Sequence, residues 1–348
     1  MIKITNSKFS KLDKNNFILL TGAAGYIGSN LSHQLISLNY KIVLIDNFST
    51  GKKLVIKKLL KKKPKNVFFE EIDLTKKLSL KKLFKKYKIN LVIHLASFKE
   101  ISESIKFPKK YIKNNYQGTL NLINEMEKNQ INKFIYSSTA AVYKSSKKKV
   151  NEKSKIKITN PYAKSKLLVE RYLDKLHKKN KLWSIVCLRY FNPLGTNSNS
   201  EYGEYNFHKM NNLISEISKV YLGWNKNLII NGNNFMTNDG TCIRDFIDIR
   251  DLCSGHIKAI NFINKKKVFK IINLGSGKGT TVLNLVKIFN IISKNKIKYY
   301  YGKNRKGDIE ISLANIKLAK KLLKWKPIYK LKESCINQIN WLKKYYVN

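Results

Sequence analysis

The chain is poor in several residue types, and each scarcity excludes a class of protein. Its 348 residues include four cysteines, which are far apart, without a CxxC pair or a histidine cluster at metal spacing. Neither a disulfide framework nor a zinc site is therefore expected. No apolar run reaches the length of a bilayer span, and residues 1–16 are too polar for a signal peptide. We expect a reduced, cytoplasmic protein with a short N-terminal extension, no metal and no membrane span.

Acidic residues and arginine are also scarce. The 69 basic residues outnumber 22 acidic ones, which gives a formal net charge of +47, and only five of the basic residues are arginine. A charge of this size is a general signal for nucleic-acid or anionic-membrane binding. Lysine, however, is scattered over almost every segment, without a recognisable nucleic-acid module. We therefore predict no nucleic-acid partner, and we expect the few arginines at sites that need a planar bidentate fork.

Short apolar runs alternate with longer segments of helical period. Strands are predicted at 17–20, 41–45, 67–69, 91–95, 134–136 and 185–188, and helices at 26–39, 76–88, 115–129 and 161–179. This alternation predicts an α/β fold with a doubly wound, Rossmann-type parallel sheet. After residue 192 the pattern becomes irregular, with helices near 208–222, 251–263, 282–293, 314–323 and 332–345. We expect an extension (1–16), a Rossmann domain (17–191) and a smaller mixed α/β substrate domain (192–348), with chain crossovers between the two domains.

A glycine-rich turn separates the first predicted strand from the first helix. Gly22, Gly25 and Gly28 stand three residues apart; they permit a tight turn, a close approach of the backbone to a pyrophosphate, and close helix–strand packing, respectively. The helix N-terminus would then face the phosphates. Asp46 ends the second strand, where a carboxylate accepts hydrogen bonds from the adenosine ribose and repels a 2′-phosphate. Residues 17–51 therefore predict an NAD site.

Tyr162 and Lys166 are four residues apart and so share one face of a predicted helix. A phenol with an ordinary pKa of about 10 is a poor base at neutral pH. The ammonium of Lys166 and the oxidised nicotinamide would both favour its ionised form. Thr139 follows a predicted strand, at the edge of the sheet where active sites collect, and can hydrogen-bond a substrate hydroxyl. These three residues are the predicted catalytic group.

Together with the glycine spacing, these features resemble the extended short-chain dehydrogenase/reductases that act on nucleotide sugars. The segment SSTAAVY at 137–143 is similar to the epimerase version, because Ala140 stands where the sugar 4,6-dehydratases carry an acid. Three more segments resemble the UDP-hexose 4-epimerases: LRYFNP at 188–193, DGTCIRD at 239–245 and RKGD at 305–308. The resemblance extends from about residue 17 to residue 345.

The resemblance implies further site residues. Cofactor contacts beyond Gly22, Gly25, Gly28, Asp46 and the catalytic group would come from Tyr26, Ile27, Asn47, Phe48, Ser49, Thr50, Gly51, Asp73, Leu74, Leu95, Ala96, Ser97, Lys99, Asn114 and Phe191. Substrate contacts beyond Thr139 and Tyr162 would come from Asn192, Asn212, Arg244, Arg305, Asp308 and Ser312. In the family, a small residue at the position of Ser312 admits N-acetylated sugars.

The implied activity is NAD-dependent 4-epimerisation of a UDP-hexose through a 4-keto sugar, with the cofactor regenerated in each turnover and a homodimer as the assembly. UDP-glucose and UDP-galactose are the implied substrates, and the small Ser312 adds their N-acetylated counterparts. A 4-epimerase for UDP-glucuronate, or one restricted to UDP-N-acetylhexosamines, is the alternative within the enzyme class. From another class, a Rossmann protein that binds polyanions without catalysis is the second alternative.

Overall fold

A computed structural model describes residues 16–63, 65–304 and 309–347. The strands are β1 (Phe17–Thr21), β2 (Ile42–Asp46), β3 (Val67–Glu71), β4 (Ile89–His94), β5 (Lys133–Thr139), β6 (Ser184–Tyr190), β7 (Asn192–Leu194), β8 (Leu228–Asn231), β9 (Ile243–Asp248), β10 (Phe269–Leu274), β11 (Gly279–Thr281), β12 (Tyr299–Gly302) and β13 (Ile311–Ser312). The helices are α1 (Tyr26–Ser37), α2 (Lys53–Leu60), α3 (Lys77–Lys86), α4 (Ile101–Lys106), α5 (Pro108–Tyr111), α6 (Gly118–Lys128), α7 (Pro161–Lys179), α8 (Leu213–Tyr221), α9 (Ile249–Ile263), α10 (Val282–Ser293), α11 (Lys317–Leu323) and α12 (Leu331–Tyr346).

Seven strands form one parallel sheet in the order β10-β6-β5-β4-β1-β2-β3. The strand order reverses between β1 and β4. Ligands of open α/β sheets bind beyond the carboxyl ends of the strands at such a reversal. The predicted α/β class and the Rossmann-type sheet are confirmed, and the reversal indicates where the site lies.

Helices cover both faces of this sheet. On one face α1, α9 and α11 bury apolar residues such as Leu31, Ile260 and Ala319. On the other face α3, α6 and α7 bury Leu80, Met126 and Leu173, among others. Because both faces are covered, the central strands are apolar along their whole length rather than alternating. That is why they were visible as short apolar runs in the sequence.

Some helices differ from the sequence prediction. Helices α2, α4 and α5 were not predicted; α2 lies in a lysine-rich segment and buries only one apolar stripe, Val55, Ile56 and Leu59. The helix predicted at 115–129 begins with a π-helical turn, Ile112–Gln117, a feature frequent at functional sites. The helix predicted at 208–222 begins at Leu213, because the side chain of Asn212 caps it by accepting from the Ser215 backbone N–H at 3.0 Å.

The strands that follow residue 191 form two small sheets, and one further strand joins the large sheet. Strand β9 pairs with β7, β11 and β13 in a small mixed sheet, and β8 pairs with β12. Strand β10, although it follows residue 192, is an edge strand of the large sheet, and α9 packs with α1 in its core. The chain therefore returns to the first domain after residue 192, and the division at residue 191 itself stays a prediction. Within the described ranges, no helix is long and apolar enough to cross a bilayer.

Candidate active site

A cavity opens beyond the carboxyl ends of β1, β2 and β4, at the reversal of strand order. Most of the predicted cofactor residues line it: Gly22, Gly25, Tyr26, Ile27, Gly28, Asp46, Asn47, Ser49, Thr50, Leu74, Leu95, Ala96, Ser97, Lys99, Asn114, Tyr162 and Lys166. The parallel strands bring these segments together because their carboxyl ends meet at one edge of the sheet. We call this space the cofactor cavity.

The glycine turn forms the floor of the cofactor cavity. Gly22 has a φ of +72°, and a Cβ atom at this position would lie 2.7 Å from the Ala96 backbone nitrogen. A Cβ atom at Gly28 would lie 2.0 Å from the carbonyl oxygen of Gly22. No side chain fits at either position without moving backbone. The turn can therefore hold α1 against β1 with its first N–H groups directed at the cavity, as phosphate binding requires.

Asp46 closes the turn from the end of β2. Its carboxylate accepts from the backbone N–H groups of Ala24 at 2.9 Å and Phe48 at 2.8 Å. Burial raises the pKa of this carboxyl, and these backbone hydrogen bonds act in the opposite direction. Asp46 thus fixes two loops of the cavity in addition to its predicted contact with a ribose.

Three predicted cofactor residues lie behind the cavity wall rather than in it. The ring of Phe48 packs on Phe69 with centroids 5.3 Å apart. A Cβ atom at Gly51 would lie 2.5 Å from the Cβ of Ala24, so close packing occupies this position. The Asp73 carboxylate accepts from the Thr75 N–H at 2.8 Å and from its hydroxyl at 2.7 Å. These residues shape the loops that carry the wall.

The start of α7 places Tyr162, the predicted base. The side chain of Asn160 accepts from the Ala163 N–H at 2.8 Å, and Pro161 occupies the first helical turn. Both features fix the helix start. Tyr162 consequently lies in the first turn of α7, beside the carboxyl ends of the strands, and Lys166 follows one turn later.

Lys166 is buried under the end of β5. It is 2% exposed, and its Nζ donates to the carbonyl oxygen of Ser137 at 2.8 Å and to the Ser137 hydroxyl at 3.2 Å. The ring of Tyr136 lies 5.0 Å from the same nitrogen. Burial lowers the pKa of this ammonium to about 7, and Glu170 acts in the opposite direction.

Several groups act on the pKa of Tyr162. Burial raises the pKa of the phenol, while a hydrogen bond with Thr139 and the ammonium of Lys99 act to lower it. The further lowering that the sequence assigns to the ammonium of Lys166 and to the oxidised nicotinamide stays a prediction.

A second cavity adjoins the first. The predicted residues Thr139, Tyr162, Phe191, Asn192 and Asn212 line it, and Tyr26, Ile27, Lys99, Tyr162 and Tyr190 line both cavities. Thr139 and Phe191, which were predicted to contact the cofactor, thus lie on this side. The Asn192 amide donates to the Asp245 carbonyl oxygen at 3.0 Å, which ties β7 to β9. We call this space the sugar cavity.

The other predicted substrate residues are not seen in the described lining of the sugar cavity. Arg244 on β9 and Ser312 on β13 are register partners, and the Arg244 guanidinium donates to the Ile309 carbonyl oxygen at 2.6 Å. Neither Arg244 nor Ser312 is among the described residues that line the sugar cavity. Arg305 and Asp308 lie outside the described residues.

Sequence reasoning missed two carboxylates at the mouth of the site. Glu204 lines both cavities, forms an ion pair with Lys99 and accepts from the Asn212 amide at 3.4 Å. Glu100 lines the sugar cavity. Gly203, Tyr205, Asn206 and Met210 also line the cofactor cavity without having been predicted. The segment 195–206 has no regular periodicity, so its position depends on tertiary contacts such as the Tyr26 hydroxyl donating to the Gly195 carbonyl oxygen at 2.6 Å.

Comparison with known proteins agrees with this geometry. The model of the NAD dependent epimerase/dehydratase family matches residues 18–275. The chain belongs to this family. A UDP-glucose 4-epimerase of Bacillus subtilis (strain 168) is 36% identical over 325 residues, which cover 93% of this chain and 96% of that protein.

Solved structures extend the likeness to the fold. The UDP-glucose-4-epimerase from Stenotrophomonas maltophila with bound NAD and formylated UDP-arabinopyranose superposes with a TM-score of 0.91 at 29% identity, covering 94% of this chain and 98% of that chain. The UDP-Glc/GlcNAc 4-epimerase from Campylobacter jejuni has a TM-score of 0.84 at 32% identity, covering 94% and 99%, respectively.

The cofactor cavity fits the nucleotide for which the NAD dependent epimerase/dehydratase family is named. Gly25 precedes α1 without a side-chain cap, so the N–H groups of the first turn are available to phosphate oxygens. The glycine floor has no room for a Cβ atom at Gly22 or Gly28. Asp46 lines the cavity from the end of β2, where the family fold binds a ribose.

Proposed function

We propose that this protein is an NAD-dependent UDP-hexose 4-epimerase that interconverts UDP-glucose and UDP-galactose. The observation that carries the proposal is the position of Tyr162, which lines both the cofactor cavity and the sugar cavity. A base at this junction can reach a sugar hydroxyl beside the cofactor. Ala140, which follows Thr139, carries no carboxyl group, so the elimination of water catalysed by the sugar dehydratases has no acid there.

In the proposed mechanism, the Tyr162 phenolate accepts the proton of the sugar 4-hydroxyl, and the Thr139 hydroxyl donates a hydrogen bond to the same oxygen. The glycine turn and Asp46 would hold NAD, which would accept a hydride from the sugar and return it, so the reaction would have no net oxidation. Tyr162 returns its proton to the 4-oxygen when the sugar is reduced on its other face. Lys99 acts to lower the pKa of the phenol throughout.

We extend the proposal to N-acetylated UDP-hexoses. Ser312 is small and lies on β13 beside Arg244, at the position that the family resemblance assigns to the space around the sugar C2. The Campylobacter jejuni relative is named a UDP-Glc/GlcNAc 4-epimerase. UDP-N-acetylglucosamine is therefore included among the proposed substrates.

A uronate substrate fits the sugar cavity poorly. Glu100 and Glu204 both line it, with the ammonium of Lys99 against them. The carboxylate of UDP-glucuronate would enter a region that already has more negative than positive charge, which disfavours it. The polyanion-binding alternative is less well supported, because binding of a polyanion does not account for Tyr162 and the buried Lys166.

A homodimer and a cytoplasmic location stay predictions. Ile101, Ile105 and Phe107, on and just after α4, are 46%, 61% and 56% exposed. A second copy of the chain that packs on the helices of the first domain would cover them. Sedimentation analysis of the purified protein tests the assembly.

A direct assay tests the function. The purified protein is incubated separately with UDP-glucose, UDP-N-acetylglucosamine and UDP-glucuronate, and the products are separated by chromatography. We expect the 4-epimers of the first two and little turnover of the third. Absence of any 4-epimer with all three substrates would refute the proposal, and turnover of UDP-glucuronate alone would favour the alternative epimerase.

A further inference from the structure

A buried ionic network lies behind the catalytic pair, and the mechanism above does not use it. Glu170 lies on α7 one turn after Lys166, and its residue is 2% exposed. Its carboxylate accepts from the Arg189 guanidinium at 2.9 Å (Nε) and 2.5 Å (Nη2), and from the Ser138 hydroxyl at 2.5 Å. This carboxylate is therefore paired, oriented and removed from water.

The same network leads to Lys166. Ser138 and Arg189 are register partners on β5 and β6, so Glu170 joins two strands beneath the sheet edge. Ser137, the neighbour of Ser138, supplies the carbonyl and hydroxyl that hold the Lys166 ammonium. Glu170 thus acts on Lys166 through its charge and through the end of β5.

Several titratable groups lie around Lys166, and they can be compared. His94 on β4 is neutral, because burial and then Lys166 lower its pKa to about 3. Tyr136 on β5 is neutral, because burial raises its pKa well above the ordinary value. Tyr162 and Glu170 lie on the same helix as Lys166. Among these groups, Glu170 is the carboxylate, and it pairs with Arg189 at 2.5 Å.

That charge matters because Lys166 and Tyr162 share a proton balance. The phenolate–ammonium pair and the phenol–amine pair contain the same number of protons, so their ratio depends on the difference between the two pKa values. Burial favours the neutral pair, since it raises the pKa of Tyr162 and lowers that of Lys166. Glu170 opposes this by raising the pKa of Lys166.

We propose that Glu170 is a positioning residue for the reaction: it increases the fraction of the enzyme in which the shared proton lies on Lys166 and Tyr162 is the phenolate that acts on the sugar. This inference rests on the proposed function and deepens it. Arg189 pairs with the Glu170 carboxylate, and the hydroxyl of Ser138, at the end of β5, donates to it.

The isosteric variant Glu170→Gln tests the role by its pH profile. Removal of the carboxylate lowers the pKa of Lys166, so the acidic limb of the kcat profile should move to lower pH by roughly one unit. The plateau value of kcat should fall by about tenfold, because a larger fraction of the enzyme then holds the phenol–amine pair. A purely structural role would lower kcat or the yield of folded protein without moving the limb.

A second readout is independent of turnover. The ultraviolet absorbance of tyrosinate is measured against pH in the holoenzyme. The signal of Tyr162 is the difference between each protein, with or without Glu170→Gln, and the same protein carrying Tyr162→Phe. We expect a smaller tyrosinate fraction near neutral pH in Glu170→Gln. The matched control is Glu125→Gln on α6, a buried carboxylate paired with Lys128 at 2.7 Å, which should leave both readouts unchanged.

Because Glu170→Gln leaves Arg189 as an unpaired buried charge, the double variant Glu170→Gln/Arg189→Met provides a second test. Removal of both partners of a buried ion pair is often tolerated when removal of one is not. The double variant should show the same acidic shift and the same loss of tyrosinate.

If either folded variant epimerises with the wild-type acidic limb and the wild-type tyrosinate fraction, the role of Glu170 is refuted while the proposed function stands. A wild-type protein that produces no 4-epimer refutes the function instead.

Discussion

The cofactor cavity and the sugar cavity share Tyr162, but they are built in different ways. The walls of the cofactor cavity come mainly from short stretches that directly follow β1, β2 and β4, joined by backbone contacts such as Gly22 N–H to Ile45 O at 2.9 Å. Residues of α7 and of the segment 203–210 complete them. The walls of the sugar cavity come from segments as far apart as Thr139 and Gln338. The first cavity is therefore built largely at the strand ends, whereas the second depends more on how the two halves of the chain pack.

This difference predicts where substitutions act. A change in the cofactor cavity disturbs backbone packing and therefore binding of the dinucleotide. A change at a residue that lines the sugar cavity alone alters a side chain that faces the substrate, and it should therefore affect selectivity. A change at Tyr162, which belongs to both, should affect the chemistry itself.

The largest effect is expected for Tyr162→Phe. Loss of the base should lower kcat by about a thousandfold, while the protein retains NAD, because the glycine floor is unchanged. Steady-state assays with UDP-glucose and the NAD content of the purified protein measure the two quantities. Tyr172→Phe, on the same helix, is the control and should keep full activity. Near wild-type turnover in Tyr162→Phe would show that the shared residue is not the base.

Gly28→Ala should weaken cofactor binding. Its Cβ atom would lie 2.0 Å from the Gly22 carbonyl oxygen, so α1 must move from the turn, and the NAD dissociation constant should rise at least about tenfold. Calorimetric titration of the stripped protein measures it. Ser37 is an exposed residue at the other end of the same helix, and Ser37→Ala should bind NAD as the parent does. Unchanged affinity in Gly28→Ala would contradict the close-packed floor.

Ser312→Tyr should act on selectivity alone. A bulky residue on β13 should reduce kcat/KM for UDP-N-acetylglucosamine by about tenfold relative to UDP-glucose, with NAD binding unchanged. Ser312→Ala keeps the position small and should preserve the ratio. Equal losses with both sugars would mean that residue 312 does not face the sugar C2.

The smallest effect is expected for Glu100→Gln. Removal of one carboxylate from the sugar cavity should raise kcat/KM for UDP-glucuronate relative to UDP-glucose by about fivefold, since the wall is partly solvated and charge effects are screened. Glu103→Gln, whose carboxylate pairs with Lys110 at 2.7 Å outside the cavity, is the matched control. A ratio that rises equally in both variants would point to general surface charge rather than to the cavity.

Much of the cofactor cavity could be predicted from the sequence, and less of the sugar cavity. The glycine turn, Asp46, and the Tyr162–Lys166 pair follow from local spacing within single elements. Glu204 could not be predicted, because its segment has no period and is positioned by the ion pair with Lys99. Helix α2 was missed because its apolar stripe is short and consists of three buried residues that alternate with lysines and other residues. The lowered pKa of Lys166 is a consequence of burial, which no local pattern contains.

By itself, the order of residues determined the parallel sheet, the glycine floor and the helix face that carries Tyr162 and Lys166. These depend on steric limits and on hydrogen bonds between neighbours in the chain or between adjacent strands. Tertiary structure alone decided which charges surround those residues. Glu170 acts on Lys166 only because β5, β6 and α7 exclude water around them. The interaction energy of two charges depends on the distance between them and on their distance from solvent. Both distances are set only when the chain folds.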